Sequence, residues 1–147
     1  MTRLLSSVTI AGVALAVTVG AQSSRPFRAR LAPVPIDVSM QATVAGSGSV
    51  TATRAGNKLT LTGTFDGLRS AATLAQLHKS PVTGVRGPVV ADLVVAKSTS
   101  GSISGSIDLT PALADDLEKG HLYIELHSEG AKDGNLWGWL LAQEAKR

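Results

Sequence analysis

Cysteine is absent from all 147 residues. Disulfides, thiolate metal sites, cysteine nucleophiles and a lipid-bearing cysteine anchor are therefore excluded together, and the fold must be held by packing alone. Aromatic side chains are nearly as scarce, with two Phe, two Trp and one Tyr, so aliphatic residues must fill the core and the place of each ring becomes informative. Charge of one sign is lacking too. Fourteen basic residues stand against eleven acidic ones, a formal net charge of +3, and no basic cluster is interleaved with aromatics, which argues against a nucleic-acid partner. Arg25, Arg28 and Arg30 do crowd one stretch, but they alternate with Phe27, Ala29 and Leu31. That is the pattern of a half-buried strand with a charged outer face.

Only one long apolar run exists, from Leu4 to Val19 after Arg3, followed by the small residues Val19-Gly20-Ala21. As a helix it would reach about 24 Å, short of a ~30 Å hydrocarbon core. Residues 1–21 therefore read as a secretory signal peptide cleaved before Gln22, with a retained N-terminal anchor as the alternative; cleavage leaves 22–147 as a single domain with no membrane span, exported to a periplasmic or extracellular space. A chain of that length can bury roughly two-thirds of its unfolded surface, enough for one core without staples.

Catalytic motifs are missing as well. Gly46-Ser47-Gly48 is not followed by the Gly-Lys-Ser/Thr of a phosphate loop. The stretch GSISG has Ile103, not serine, at its centre, so it is no nucleophile elbow. Asp115 and Asp116 are adjacent on an expected helix and point about 100° apart, which suits a solvated face better than an acid/base pair. The expectation is a non-enzymatic protein without a cofactor.

What the chain does have is a succession of short β-prone runs separated by Gly, Ser, Pro and Asn, the pattern of an all-β sandwich or barrel. Strands are expected at Phe27–Leu31, which the Pro33-Val34-Pro35 kink ends, and along Ile36–Ala45 with Val38, Met40, Ala42 and Val44 on one side. A hairpin follows, Ser49–Arg54 turning through Ala55-Gly56-Asn57 into Lys58–Phe65, whose Leu59, Leu61, Gly63 and Phe65 face inward. Ala71–Lys79 places Gln76 and His78 on one face and Ala75 and Leu77 on the other, although AATLAQL could equally make a helical turn. Val89–Ala96 reads as a strand buried on both sides, and Ile103–Leu109 as its Ser-rich partner. One short helix near 111–119 is capped by Thr110, starts with Pro111 and stops at Gly120.

The stretch Gly120–Leu140 gathers two of the three histidines, both tryptophans and the only tyrosine. Strict alternation puts Leu122, Ile124 and Leu126 on one side and His121, Tyr123, Glu125 and His127 on the other. A hairpin turning near Asp133-Gly134 and symmetric about Ala131 would set Trp139 opposite Tyr123, Trp137 opposite Glu125 and Asn135 opposite His127. Tyr123, Glu125, His127, Trp137 and Trp139 are then the candidate binding face, with core packing as the alternative use for at least one tryptophan. His121 and His127 cannot share a metal ion, because six residues of strand separate them by about 20 Å. A site would need His78 with His127, plus Gln76, Glu125 or water. Since tetrahedral zinc usually takes three or four protein ligands, two imaginable imidazole ligands are first read as satisfied structural histidines, and no metal is expected.

The ordered segments VAGSGSVTA, KLTLTGTFDGL, AQLHKSPVTGVRGPVVADL, GSISGSIDLT and LEKGHLYIELHSEGAKDGNLWGWL resemble the CHRD domain, first recognised in chordin and widespread in secreted bacterial proteins. The resemblance spans about Phe27 to Leu141. It implies an all-β, Greek-key sandwich of immunoglobulin-like or superoxide-dismutase-like type, exported, without established enzymatic activity. The family's His-x-His pair before a Gly-Pro segment is met by His78 at its second position, with Gln76 at the first. Its Tyr-x-x-x-His-Thr/Ser strand is met by Tyr123, His127 and Ser128, and its glycine-spaced return by Gly134 and Gly138. The resemblance further implies a binding or accessory module for a protein partner or an envelope ligand. A copper- or zinc-binding protein is the alternative.

Overall fold

The computed structural model describes residues 24–144, so the expected signal segment lies outside the described residues. Nine strands and one helix follow in the order β1 (Arg25–Pro33), β2 (Ser47–Ala55), β3 (Lys58–Asp66), β4 (Ala72–Lys79), β5 (Val89–Val95), β6 (Gly101–Asp108), α1 (Pro111–Glu118), β7 (Leu122–Ser128), β8 (Ala131–Trp139) and β9 (Leu141–Ala142).

All strand pairings are antiparallel, and the spatial order β2-β3-β6-β5-β4-β7-β8-β1 returns to β2 because β1 also pairs with it. The sheet therefore closes on itself. The all-β expectation holds, but the Greek-key sandwich does not: the protein is a closed eight-stranded antiparallel barrel with one short helix, to which β9 adds a two-residue strip beside β1. Closure is the work of β1. Its first seven residues pair with β2 from Arg25 to Leu31, and its last two, Ala32 and Pro33, cross to Trp137 and Leu136 of β8. Gly138 permits that approach, since a Cβ there would run into the Arg30 carbonyl oxygen. Pairing also narrows between β5 and β6, to Val94–Ser104 and Val95–Ile103. A closed barrel leaves no unpaired strand edge of the kind that templates aggregation.

The core comes from strict alternation. Phe27, Ala29 and Leu31 of β1, Val50 and Ala52 of β2, Leu59, Leu61 and Phe65 of β3, Ala75 and Leu77 of β4, and Leu122, Ile124 and Leu126 of β7 are all buried in one apolar cluster. The Ala-rich β4 segment is a strand, and its inward pair is the one expected. The first hairpin turns through Gly56-Asn57, with Ala55 opposite Lys58.

Two expected strands are revised. Residues 36–45 are not extended: Asp37 caps a 3₁₀ turn at Val38–Met40, its carboxylate accepting from the Met40 amide, and Val38 is exposed. The Val-rich β5 is buried on one face only, with Leu93 and Val95 inside and Val89 and Val94 outside. A closed barrel has one interior, so an apolar run passing through its wall must expose every second residue.

Candidate functional site

Among the described residues the buried polar side chains are His78, Ser80, Glu125, Ser128 and Asn135. They all belong to β4, β7, β8 or the residue that follows β4, and so to a single stretch of the barrel wall. Barrel alternation turns the odd residues of β7 outward, where they meet the even residues of β4 and the odd residues of β8. His78, Tyr123 and Trp139 form one row across the three strands, and Gln76, Glu125 and Trp137 the next.

The loop from Pro81 to Pro88 folds over these rows, so the wall is outward-facing but covered. Tyr123 is 1% exposed and Glu125 2%, while His127, Trp137 and Trp139 are half-buried. Gly87 fastens the loop: its amide donates to the Tyr123 hydroxyl at 3.1 Å, and its carbonyl accepts from that hydroxyl at 3.3 Å and from His78 Nδ1 at 2.9 Å. Burial pushes the Tyr123 phenol above its ordinary value, and the Glu125 carboxylate adds to the shift against the opposing effects of Gly87 and Arg86. Tyr123 stacks between His78, at 4.8 Å, and Trp139, at 4.9 Å, and Trp137 meets Trp139 edge-on at 4.7 Å.

Arg86 reaches from the loop across Trp137, 5.4 Å from the ring centroid, and donates to Glu125 Oε1 at 2.5 Å and to the Asp133 carbonyl at 3.1 Å. Its guanidinium is the cation that a buried carboxylate requires. Gly134 makes room for that carboxylate. At φ +124 it adopts a backbone that side-chain-bearing residues avoid, and a Cβ there would fall on Glu125 Oε1.

His127 is delivered by irregularity. The register shifts on both sides of it, between Ala72 and Leu74 on β4 and between Leu126 and Ser128 on β7, and bulges of this kind re-aim side chains. The hairpin turns at Glu129-Gly130, with Ser128 opposite Ala131, so the expected turn at Asp133-Gly134 is replaced by strand residues of β8. Tyr123–Trp139 and Glu125–Trp137 pair as expected, whereas Asn135 donates instead to Ser128 Oγ at 2.8 Å. The extra length of β8 brings the Lys132 carbonyl to His127 Nδ1, at 2.8 Å.

The outcome differs from a pair of satisfied histidines. Each Nδ1 faces a backbone carbonyl, which can only accept, so each carries a proton there and leaves Nε2 as the free ring position. Both Nε2 atoms are buried without a hydrogen-bond partner among the described residues. His78 Nε2 lies 3.6 Å from Glu125 Oε2, and ligand atoms of His78, Glu125 and His127 all lie within 4.8 Å of one another. Gln76 is outside this group, donating to Asp92 at 2.7 Å, and His121 faces Asp116 at 3.5 Å. Sequence reasoning missed Arg86 because nothing local marks an arginine in a Gly/Pro-rich loop as the partner of a carboxylate 39 residues away.

Trp137 also packs on a second small cluster of Val34, Val44 and Ala131, so its ring is shared between the wall and packing. Trp139 Nε1 is buried without a hydrogen-bond partner among the described residues. A surface hollow next to both tryptophans is bordered by Arg28 and Arg30 of β1.

The chain matches no curated protein and no solved structure. The family model for the CHRD domain matches residues 27–140, from the first core residue of β1 to the last residue before β9, and includes every residue of the wall. The chain belongs to the CHRD domain family.

Proposed function

We propose that this protein is an exported, non-enzymatic binding or accessory domain that works in a periplasmic or extracellular space through the β4–β7–β8 wall, where it meets a partner protein or an envelope ligand. Family membership supports the binding role. The observation that carries the choice of surface is the segregation of polarity: an interior filled by apolar side chains leaves a ligand the outside of the barrel, and the buried polar groups are confined to one wall of it. The half-buried edges of Trp137 and Trp139, beside a hollow bordered by Arg28 and Arg30, suit a partner of acidic character, since aromatic and arginine side chains anchor interfaces.

Affinity purification from native envelope fractions tests this reading. The protein should retain a specific partner that is lost from Trp137→Ala/Trp139→Ala and from Arg28→Glu/Arg30→Glu. The arginine pair is exposed, so its variant separates loss of contact from loss of fold. Identical sets of retained proteins for wild type and both variants would remove the wall as the docking surface.

A further inference from the structure

We propose that His78, Glu125 and His127 form a binding site for one divalent transition-metal ion of the Zn²⁺ or Cu²⁺ class. The inference rests on the reading of the β4–β7–β8 wall as the working surface and names what its buried part takes up. Two imidazole nitrogens and one carboxylate are a recognised donor set for such ions, with at least one position left for water or an outside ligand.

The geometry is already close. Donors bound ~2.0–2.1 Å from a tetrahedral ion lie about 3.4 Å apart. His78 Nε2 and Glu125 Oε2 stand 3.6 Å apart, and the whole group within 4.8 Å, so modest side-chain movement closes the site. Its outer partners are also in place. A metal-bound histidine almost always gives its other N–H to a carbonyl or carboxylate, which fixes the ring and its tautomer. His78 does so to Gly87 and His127 to Lys132. Arg86 holds Oε1 of Glu125 and leaves Oε2 toward His78. The guanidinium is about half exposed, so water screens its repulsion of an incoming cation.

An ordinary ion pair does not account for the same facts. A His78–Glu125 pair would occupy one imidazole and leave His127 Nε2 buried without a partner among the described residues, a desolvation cost with no return. The bulges that flank His127 coincide with the placing of its ring within 4.8 Å of the His78 and Glu125 ligand atoms, and bulges re-aim side chains in this way.

The test is calorimetric titration of the chelator-stripped purified protein with Zn²⁺, and visible absorption with Co²⁺ as a geometric reporter. One equivalent should bind with micromolar or tighter affinity, and Co²⁺ should give the intense bands of a four-coordinate site. His78→Ala and His127→Ala should each weaken binding by more than tenfold. Glu125→Gln, which keeps the shape of the side chain, should do the same while the circular dichroism spectrum stays that of the wild type. His121→Ala should change nothing. Failure of Zn²⁺, Co²⁺ and Cu²⁺ to bind, or binding that survives the triple substitution of His78, Glu125 and His127, overturns the site. Metal binding with no specific partner in the envelope purification would leave the site standing and remove the docking reading, and the reverse pair of results would do the opposite.

Discussion

Tyr123 shows how a single side chain can join the barrel to its covering loop. Its ring lies between His78 and Trp139, and its hydroxyl both accepts from and donates to Gly87. Burial holds the phenol neutral beyond its ordinary range. As the only tyrosine, it can be followed by alkaline difference absorbance without ambiguity. Its midpoint should lie above 10 in the native protein and return to about 10 when the chain is denatured. Because the folded value is the higher one, its contribution to stability is full below the unfolded value and is lost as pH rises through the folded one. A native midpoint at the ordinary value would show that the loop does not shield it. At this scale much was legible in the sequence: the alternation of β7 assigned Tyr123, Glu125 and His127 to one face, and the register placed both tryptophans beside them. Burial of that face was not, because it depends on Arg86 and Gly87 folding back from a loop with no periodicity to read.

Element by element, α1 is the piece most clearly written in local chemistry. Thr110 Oγ1 accepts from the Leu113 amide at 3.2 Å, Pro111 occupies the first turn, and Leu117 is buried. The expectation that Asp115 and Asp116 form a merely solvated face is half right. Asp115 takes Lys119 at 2.6 Å one turn later, but Asp116 reaches Lys79 at the end of β4, at 2.9 Å, and thereby ties the helix to the wall. The Lys79 hydrogen bond, supported by His121, holds the Asp116 carboxyl below its ordinary value. A depressed value means stability that is present above the unfolded pKa and lost as pH falls through the folded one. Asp116→Asn should therefore lower the melting temperature at pH 7, and the gap to wild type should shrink as the pH falls below the ordinary carboxylate range and Asp116 takes up its proton. A gap that does not change with pH would assign the loss to packing. Long-range pairs such as Lys79–Asp116 are invisible in a single chain read in order, as was the true turn of the second hairpin. Asp133-Gly134 carries the stronger local turn signal, yet Glu129-Gly130 turns the chain, and Gly134 instead makes room within β8 for the Glu125 carboxylate.

For the molecule as a whole, the runs and turns established an all-β chain with an apolar interior, but closure was not readable from them. Sandwich and barrel use the same alternation and differ in a few pairings at the margins, here Ala32–Trp137 and Pro33–Leu136 on one side and Val94–Ser104 with Val95–Ile103 on the other. These two seams are the shortest ladders of the barrel, and local opening follows sparse pairing. Amide exchange should be fastest among the strand residues there and slowest in β2–β3 and β4–β7. Uniform protection would mean the seams are not weak points. The interior is filled by apolar side chains, and the proposed site lies on the outer wall, where two imidazoles held by backbone carbonyls stand within 4.8 Å of one buried carboxylate. A long-range ¹H–¹⁵N correlation spectrum of the uniformly labelled protein, recorded before and after one equivalent of Zn²⁺, addresses that arrangement directly. His78 and His127 should both appear as neutral Nδ1–H tautomers, and their Nε2 resonances alone should move when the metal is added, with His121 unchanged. An imidazolium or Nε2–H form at either position, indifferent to Zn²⁺, would contradict it.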